Sequence, residues 1–449
     1  MINQIEFDNK DIPLFSNEAT SNQSLFSVLI GKNGSGKSRI LRTITDHYMD
    51  AVMNDKGKPL SKNAKRLENR PDTNQGLSVL AISMSSFDKF SIDDAFLSKG
   101  RCYRYLGVRG IPNDNLSVSY LSRIIANLLD VIKEKPERIN GIMETLEYLG
   151  YKPFLQCELR YSKSMAEFYA ICQAIKSKDS NGLLRAEKWL IRNSFEGFRS
   201  VKDFIRDLKE IEKEVITLRN DYTRRTIFVN VESDKISSCS ATEHTKTNYS
   251  RLLKYGIMQL KDVNVKRFKS NSHLCINKAS SGEQSIFSSF LSISTYIKDN
   301  CVICIDEPEN CLHPEWQEKY ILNLHAAFGN FKNCHFVIAT HSPQIIAKLP
   351  EKNCFVIDVA DQKIFSSKEL RNRSADFQLA EAFKSPGFKN EYLFRELLTA
   401  LGEISAGKTL DSRRQLHIFD LIKLKVKLSP SDPVFELITL IEKSLGKKK

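Results

Sequence analysis

The 449-residue sequence predicts an α/β fold: a mixed sheet flanked by helices, interrupted by a helical insertion and followed by a helical C-terminal region. Three observations carry that prediction. The apolar run Leu25-Phe26-Ser27-Val28-Leu29-Ile30 leads into a glycine-rich loop and then into the helix-compatible Arg39-Ile40-Leu41-Arg42. Two further apolar runs, Cys301–Ile305 and His335–Ala339, end abruptly at polar residues, as buried parallel strands do. Roughly 240 residues separate the glycine loop from a serine-glycine turn just upstream of those runs, longer than any connection within one compact unit, so a segment is inserted.

The first element defines a ligand class. Residues 31 to 38 read Gly31-Lys32-Asn33-Gly34-Ser35-Gly36-Lys37-Ser38, the pattern GxxxxGK[ST]. Its glycines let successive backbone N–H groups converge on phosphates. Lys37 brings a point charge to the β and γ oxygens, and Ser38 offers its hydroxyl to Mg²⁺. A helix beginning at Gly36 adds its positive end. The loop therefore predicts binding of a nucleoside triphosphate.

The inserted segment reads as mostly helical. Val201, Phe204, Leu208, Ile211, Val215, Leu218 and Tyr222 recur at alternating three- and four-residue steps, the spacing of a coiled-coil seam. Three heptads fit either a short projecting arm or an amphipathic hairpin packed on the main lobe. The polar tract Ser237–Asn248 reads as a loop returning to the sheet.

The later elements bring acids and a histidine toward the same sheet edge. Ala279-Ser280-Ser281-Gly282-Glu283-Gln284 opens a helix-like stretch and forms a second anion-compatible turn. The strand Cys301–Ile305 closes in Asp306-Glu307-Pro308-Glu309, where Asp306 is placed to hold Mg²⁺ and Glu307 to polarise an attacking water. The strand His335–Ala339 closes in Thr340-His341, and His341 is placed to bond a γ-phosphate or that water. After the strand Cys354–Asp358 comes a helical pattern. Asp358 at the strand end and Asp361 beyond it stand at a spacing unsuited to a two-metal nuclease site, so no nuclease domain is expected.

Bulk composition narrows the class. No apolar run approaches the roughly 20 residues needed to span a bilayer, and the N-terminal residues lack a secretory pattern, so a cytoplasmic protein without a membrane partner is expected. The ten cysteines form no paired CxxC clusters. Cys301 and Cys304 share a strand whose alternation points them to opposite faces, which argues against a shared metal. The formal charge of +13 fits either a polyanionic partner such as nucleic acid or a solvated basic surface.

Glycine loop, Ser-Ser-Gly-Glu-Gln turn, strand-Asp-Glu and strand-Thr-His occur in an order that resembles the ABC-class ATPases, particularly the branch of SMC and Rad50 heads, RecF and OLD-type ATPases. The resemblance implies an ABC-type P-loop ATPase head that takes ATP and Mg²⁺. Gly31, Asn33, Gly34, Ser35, Gly36, Lys37, Ser38 and Arg39 would contact the nucleotide. Ser280, Gly282 and Glu283 would reach the nucleotide of a second protomer in a head-to-tail homodimer or higher homo-oligomer. Ser38 and Asp306 would bind the metal, and Glu307 and His341 would be catalytic. Two departures stand out: Met84-Ser85-Ser86 follows the strand Val79–Ser83 where the class carries a glutamine, and Ala279 and Ser281 replace leucine and glycine of the usual signature. The expected organisation is residues 1–120 as the first part of the head, 121–250 as the helical insertion with its short coiled-coil-like segment, 251–365 as the second part, and 366–449 as a helical region for partner binding. With the stretches Phe87–Phe90 and Tyr105–Arg109, the chain looks like the PtuA-type ATPases of bacterial Septu and retron antiphage systems, which work with a separately encoded HNH nuclease. The alternative implied by the same branch is a RecF- or Rad50-like repair ATPase that grips duplex DNA directly.

Overall fold

The structure, a computed structural model, describes residues 2–8, 10–16, 19, 23–53, 78–92, 102–109, 116–194, 200–219, 226–232, 236–238, 247–268, 272–406 and 411–446. Its strands are β1 (Gln4–Phe7), β2 (Lys10–Pro13), β3 (Leu25–Ile30), β4 (Ser78–Ser83), β5 (Tyr103–Tyr105), β6 (Tyr151–Tyr161), β7 (Thr226–Glu232), β8 (Ile236–Ser238), β9 (Met258–Arg267), β10 (His273–Cys275), β11 (Cys301–Asp306), β12 (His335–Ala339), β13 (Cys354–Asp358) and β14 (Lys363–Ser366).

Seven strands form the central sheet in the order β14-β13-β3-β12-β11-β4-β5. All neighbours run parallel except β14, which folds back antiparallel on β13. Every residue of β3, β4, β11, β12 and β13 is buried, because helices cover both faces of a parallel sheet. Alternation divides the side chains between two cores. Phe26, Val28 and Ile30 join one, while Leu25 and Leu29 join the other with Ile40, Leu41 and Ile44 of the Lys37–Met53 helix. Cys301 and Cys304 fall in different cores, as the strand pattern requires.

The segment 121–250 departs from the helical expectation. Beside its helices it supplies β6, β7 and β8, which join β9 and β10 in a five-stranded antiparallel sheet of order β10-β9-β6-β7-β8. The cause is a period of two at Leu155, Cys157 and Leu159 and at Val229 and Val231, all buried. The Val201–Arg219 helix does not use its seam for a projecting arm: Phe204, Leu208, Ile211 and Val215 are buried in the main core, and Phe204 packs on Phe168 and Tyr255. Tyr222 and residues 239–246 of the polar tract lie outside the described residues.

Beyond β14 the chain is helical and has its own small core. Leu393, Leu397 and Ile404 of the Glu391–Ser405 helix meet Leu421 of the Ser412–Lys423 helix and Val434, Ile438 and Ile441 of the Pro433–Gly446 helix.

Candidate functional site

Register brings the chemistry to one edge. Asp306 pairs with Ala339 on one side and with Ser83 on the other, and Ala339 pairs with Leu29. The carboxyl ends of β3, β12, β11 and β4 are therefore level, so Gly31, Thr340, Glu307 and Met84 all leave the sheet along the same rim, where ligands of parallel α/β sheets bind. Two backbone bonds bind the exits together: Thr340 N donates to Leu29 O at 3.0 Å, and Glu307 N donates to Ala339 O at 2.9 Å.

The glycine loop wraps Lys37. Lys37 Nζ donates to the carbonyls of Gly31, at 2.8 Å, and Lys32, at 3.1 Å. Burial lowers the Lys37 pKa, while the carboxylates of Glu309, Glu307 and Asp306 act in the opposite sense. Asn33 and Gly34 are exposed. Ser35 Oγ is buried and has no hydrogen-bond partner among the described residues, an orphan hydroxyl aimed within a loop built for anions. Arg39 lies outside this cradle: its guanidinium donates to Asp8 Oδ2 at 3.3 Å and stacks 4.9 Å from the centre of the Phe7 ring.

Ser38 and Asp306 meet, as the spacing of the two motifs implies. Ser38 Oγ donates to Asp306 Oδ1 at 3.0 Å. Burial pushes the Asp306 carboxyl up to about 7, opposed by that Ser38 bond and reinforced by Glu307, Asp88 and Glu309. A hydroxyl and a carboxylate crowded by further acids form a hard-oxygen donor set of the kind Mg²⁺ takes when phosphates and water complete its shell. No group of three or more His, Cys, Asp or Glu suited to a metal occurs among the described residues.

Glu307 takes φ +49°, a left-handed conformation rare for a residue with a side chain, directly after the strand. Such conformations persist where surrounding contacts enforce them. Here Asn310 Nδ2 donates to Glu307 Oε2 at 3.1 Å. His341 Nδ1 lies 3.9 Å from Glu307 Oε1 and 3.1 Å from Glu309 Oε1. Glu309 is buried and also accepts the His341 backbone N–H, at 2.7 Å.

The serine-glycine turn is a helix cap in its own chain. Ser280 caps the Ser281–Tyr296 helix in a reciprocal box with Glu283, and Glu283 also pairs with Arg267 at 2.7 Å. Ser280 is exposed; Gly282 is buried, with room for a Cβ only 3.0 Å from Cys311 O. No hydrogen bond or ion pair among the described residues joins Ser280, Gly282 or Glu283 to residues 31–39.

Two residues of the rim escape sequence reasoning. Asp88 is buried beneath the Met84–Phe90 turn, accepts the Tyr105 hydroxyl at 2.6 Å and pairs with Arg109 at 3.5 Å; burial raises its pKa and those two partners lower it. Glu309 is the other. Only its place in the Asp-Glu-Pro-Glu run hinted at a role. Beside the glycine loop lies a cleft of about 650 Å³ whose far wall comes from the C-terminal region, including Phe383, Lys384, Lys423 and Lys427.

The model of the AAA ATPase domain family matches residues 61–346. The chain is 21% identical to the retron Vc95 probable ATPase of Vibrio cholerae serotype O1 biovar El Tor over 450 residues, covering 88% of this chain and 83% of that protein. It is 29% identical to the retron Ec83 probable ATPase of Escherichia coli over 127 residues, 26% of this chain and 23% of that one. A solved Smc head domain with an extended coiled coil, bound to the C-terminal domain of ScpA and derived from Pyrococcus furiosus, overlaps 82% of this chain and 97% of its own at 11% identity, with a TM-score of 0.27. No described helix is long and apolar enough to cross a membrane.

Proposed function

The chain belongs to the AAA ATPase domain family, and from that premise we propose that it is the ATP-binding and ATP-hydrolysing regulatory subunit of a retron-type antiphage system. In this reading it controls a separately encoded effector, an HNH nuclease, through nucleotide-dependent dimerisation. The observation that carries the ATPase part is the shared rim: Lys37, Ser38, Asp306, Glu307 and His341 come from three strands whose ends are level. The defence assignment draws on the two relatives that are retron probable ATPases.

This reading assigns a division of labour, supported by the meeting of Ser38 with Asp306 and of His341 with Glu309 at one rim. Backbone N–H groups of residues 33 to 38 and the Lys37 ammonium hold the β and γ phosphates. Ser38 and Asp306 would hold Mg²⁺, which would supply charge neutralisation on the phosphate oxygens. Glu307 orients and polarises a water in line with the γ-phosphate, and His341 hydrogen-bonds the γ-phosphate or that water. Ser280 and Gly282 close over the γ-phosphate of a second protomer. Binding then shifts an open–closed equilibrium that the C-terminal region, with Phe388, Leu398, Leu416, Phe419 and Val426 exposed, reports to the effector.

Replacing Glu307 with Gln keeps the shape and removes the base. Mg-ATP binding by calorimetry is expected to persist while turnover falls at least about 100-fold. Unchanged turnover would remove Glu307 from its role. A direct DNA-binding function, which the +13 charge favours, predicts instead that the isolated chain binds duplex with a steep inverse dependence on salt.

A further inference from the structure

We propose that Glu309 is a positioning residue for the hydrolytic step, fixing His341 through both its backbone and its imidazole; this rests on the reading of His341 as part of the hydrolytic apparatus. The Glu309 side chain is 4% exposed. One oxygen, Oε1, serves two atoms of His341: it accepts the backbone N–H at 2.7 Å and stands 3.1 Å from the ring Nδ1. The other, Oε2, is buried without any hydrogen-bond partner among the described residues.

A merely structural acceptor for one backbone amide does not need a charge. A neutral Gln or Asn would accept the same N–H at a far lower desolvation cost. A buried carboxylate with one oxygen unbonded is a costly group. Among the carboxylates that favour the charged form of Lys37, Glu309 acts most strongly. Its neighbour in the structure is the imidazole. A carboxylate 3.1 Å from Nδ1 favours the tautomer that carries the ring proton on that nitrogen. Glu307, 3.9 Å from the same nitrogen, is too distant to compete for that proton. Two neighbouring acids thus divide the work: Glu307 is free for the water because Glu309 holds the histidine.

The test compares wild type, Glu309→Gln, His341→Ala and the double variant in steady-state Mg-ATP hydrolysis, together with calorimetric Mg-ATP binding. Glu309→Gln is expected to lower kcat at least about tenfold with KM and binding unchanged, because orientation of the histidine matters only in the transition state. The double variant is expected to be no slower than His341→Ala alone, since the two act as one unit. Wild-type kcat in Glu309→Gln, or a double variant slowed by the product of the single effects, would overturn the proposal. A second readout does not depend on turnover. Nitrogen-15 histidine spectra are expected to show His341 mainly protonated at Nδ1 in wild type and redistributed between tautomers in Glu309→Gln. An identical His341 tautomer in both overturns the proposal, whereas a wild-type chain that binds Mg-ATP without hydrolysing it, yet shows the tautomer shift, overturns only the hydrolytic reading.

Discussion

At Gly36 the backbone takes φ +95°, and a Cβ built there would stand 2.5 Å from Phe7 Cε1. Both facts point the same way. The left-handed region costs an L-residue roughly 1–2 kcal/mol, and the Phe7 ring is packed among buried residues that hold it in place. Gly36→Ala is therefore expected to destabilise the fold by at least about 1 kcal/mol in urea titration and to weaken Mg-ATP binding at least about tenfold, as the amides of the loop are pushed off their convergence. Wild-type affinity in that variant would separate the loop geometry from binding. Residues of this kind are legible because their chemistry depends on type and spacing: Lys37, Ser38, Asp306 and Glu307 announce themselves in local strings. Glu309 and Asp88 do not. Their significance lies in burial and in partners distant along the chain, His341 for one and Tyr105 and Arg109 for the other. The left-handed turn at Glu307 is equally silent, since nothing in the residue type favours it.

At the scale of elements, β12 begins with a fully buried histidine. His335 Nε2 meets Ser27 Oγ at 2.8 Å, and the Ser27 hydroxyl is already given to Leu14 O at 2.6 Å, so Nε2 carries the proton and donates it. The ring Nδ1 has no hydrogen-bond partner among the described residues. Burial pushes the His335 pKa down to about 3 from an ordinary 6.5. The sign follows from linkage: between those values the unfolded chain binds a proton that the folded chain refuses, so this group costs nothing above about pH 6.5 and reduces stability progressively below it. Its contribution to the slope is about 1.4 kcal/mol per pH unit. His335→Gln is expected to flatten the loss of urea stability between pH 6.5 and 4 by roughly that slope relative to wild type. Parallel curves for the two proteins would show that His335 is charged in the fold. Strands such as β12 are legible as unbroken apolar runs, whereas β6 and β7 were obscured by the stronger helical seam of the neighbouring Val201–Arg219 segment. In an insertion of mixed character the louder period masks the weaker one, and only long-range pairing of β6 with β9 reveals the second sheet.

For the whole molecule, the decisive matter is whether a single chain contains a complete site. The glycine loop and the Ser280 turn have no bond between them within one chain, and Ser280 stands exposed at the start of its helix, available to a second copy. If each site is assembled from the loop of one protomer and the turn of its twin, damage to the two halves must complement. Lys37→Ala removes the charge at the phosphates, and Ser280→Arg places bulk on the exposed turn without entering the core. Each variant alone is expected to be inactive in Mg-ATP hydrolysis. Mixed in equal amounts, only heterodimers can close on Mg-ATP, and each of those has one intact site in two, so up to about half of wild-type turnover should return. Light scattering should show the same mixture dimerising on Mg-ATP, while Lys37→Ala alone stays dissociated. Activity of Ser280→Arg by itself, or no recovery on mixing two folded variants that each bind their partner, would mean that the turn is only the helix cap its hydrogen bonds describe. The composite site would then give way to one completed within the chain, where the cleft between the glycine loop and the lysines of the C-terminal region is the place to look.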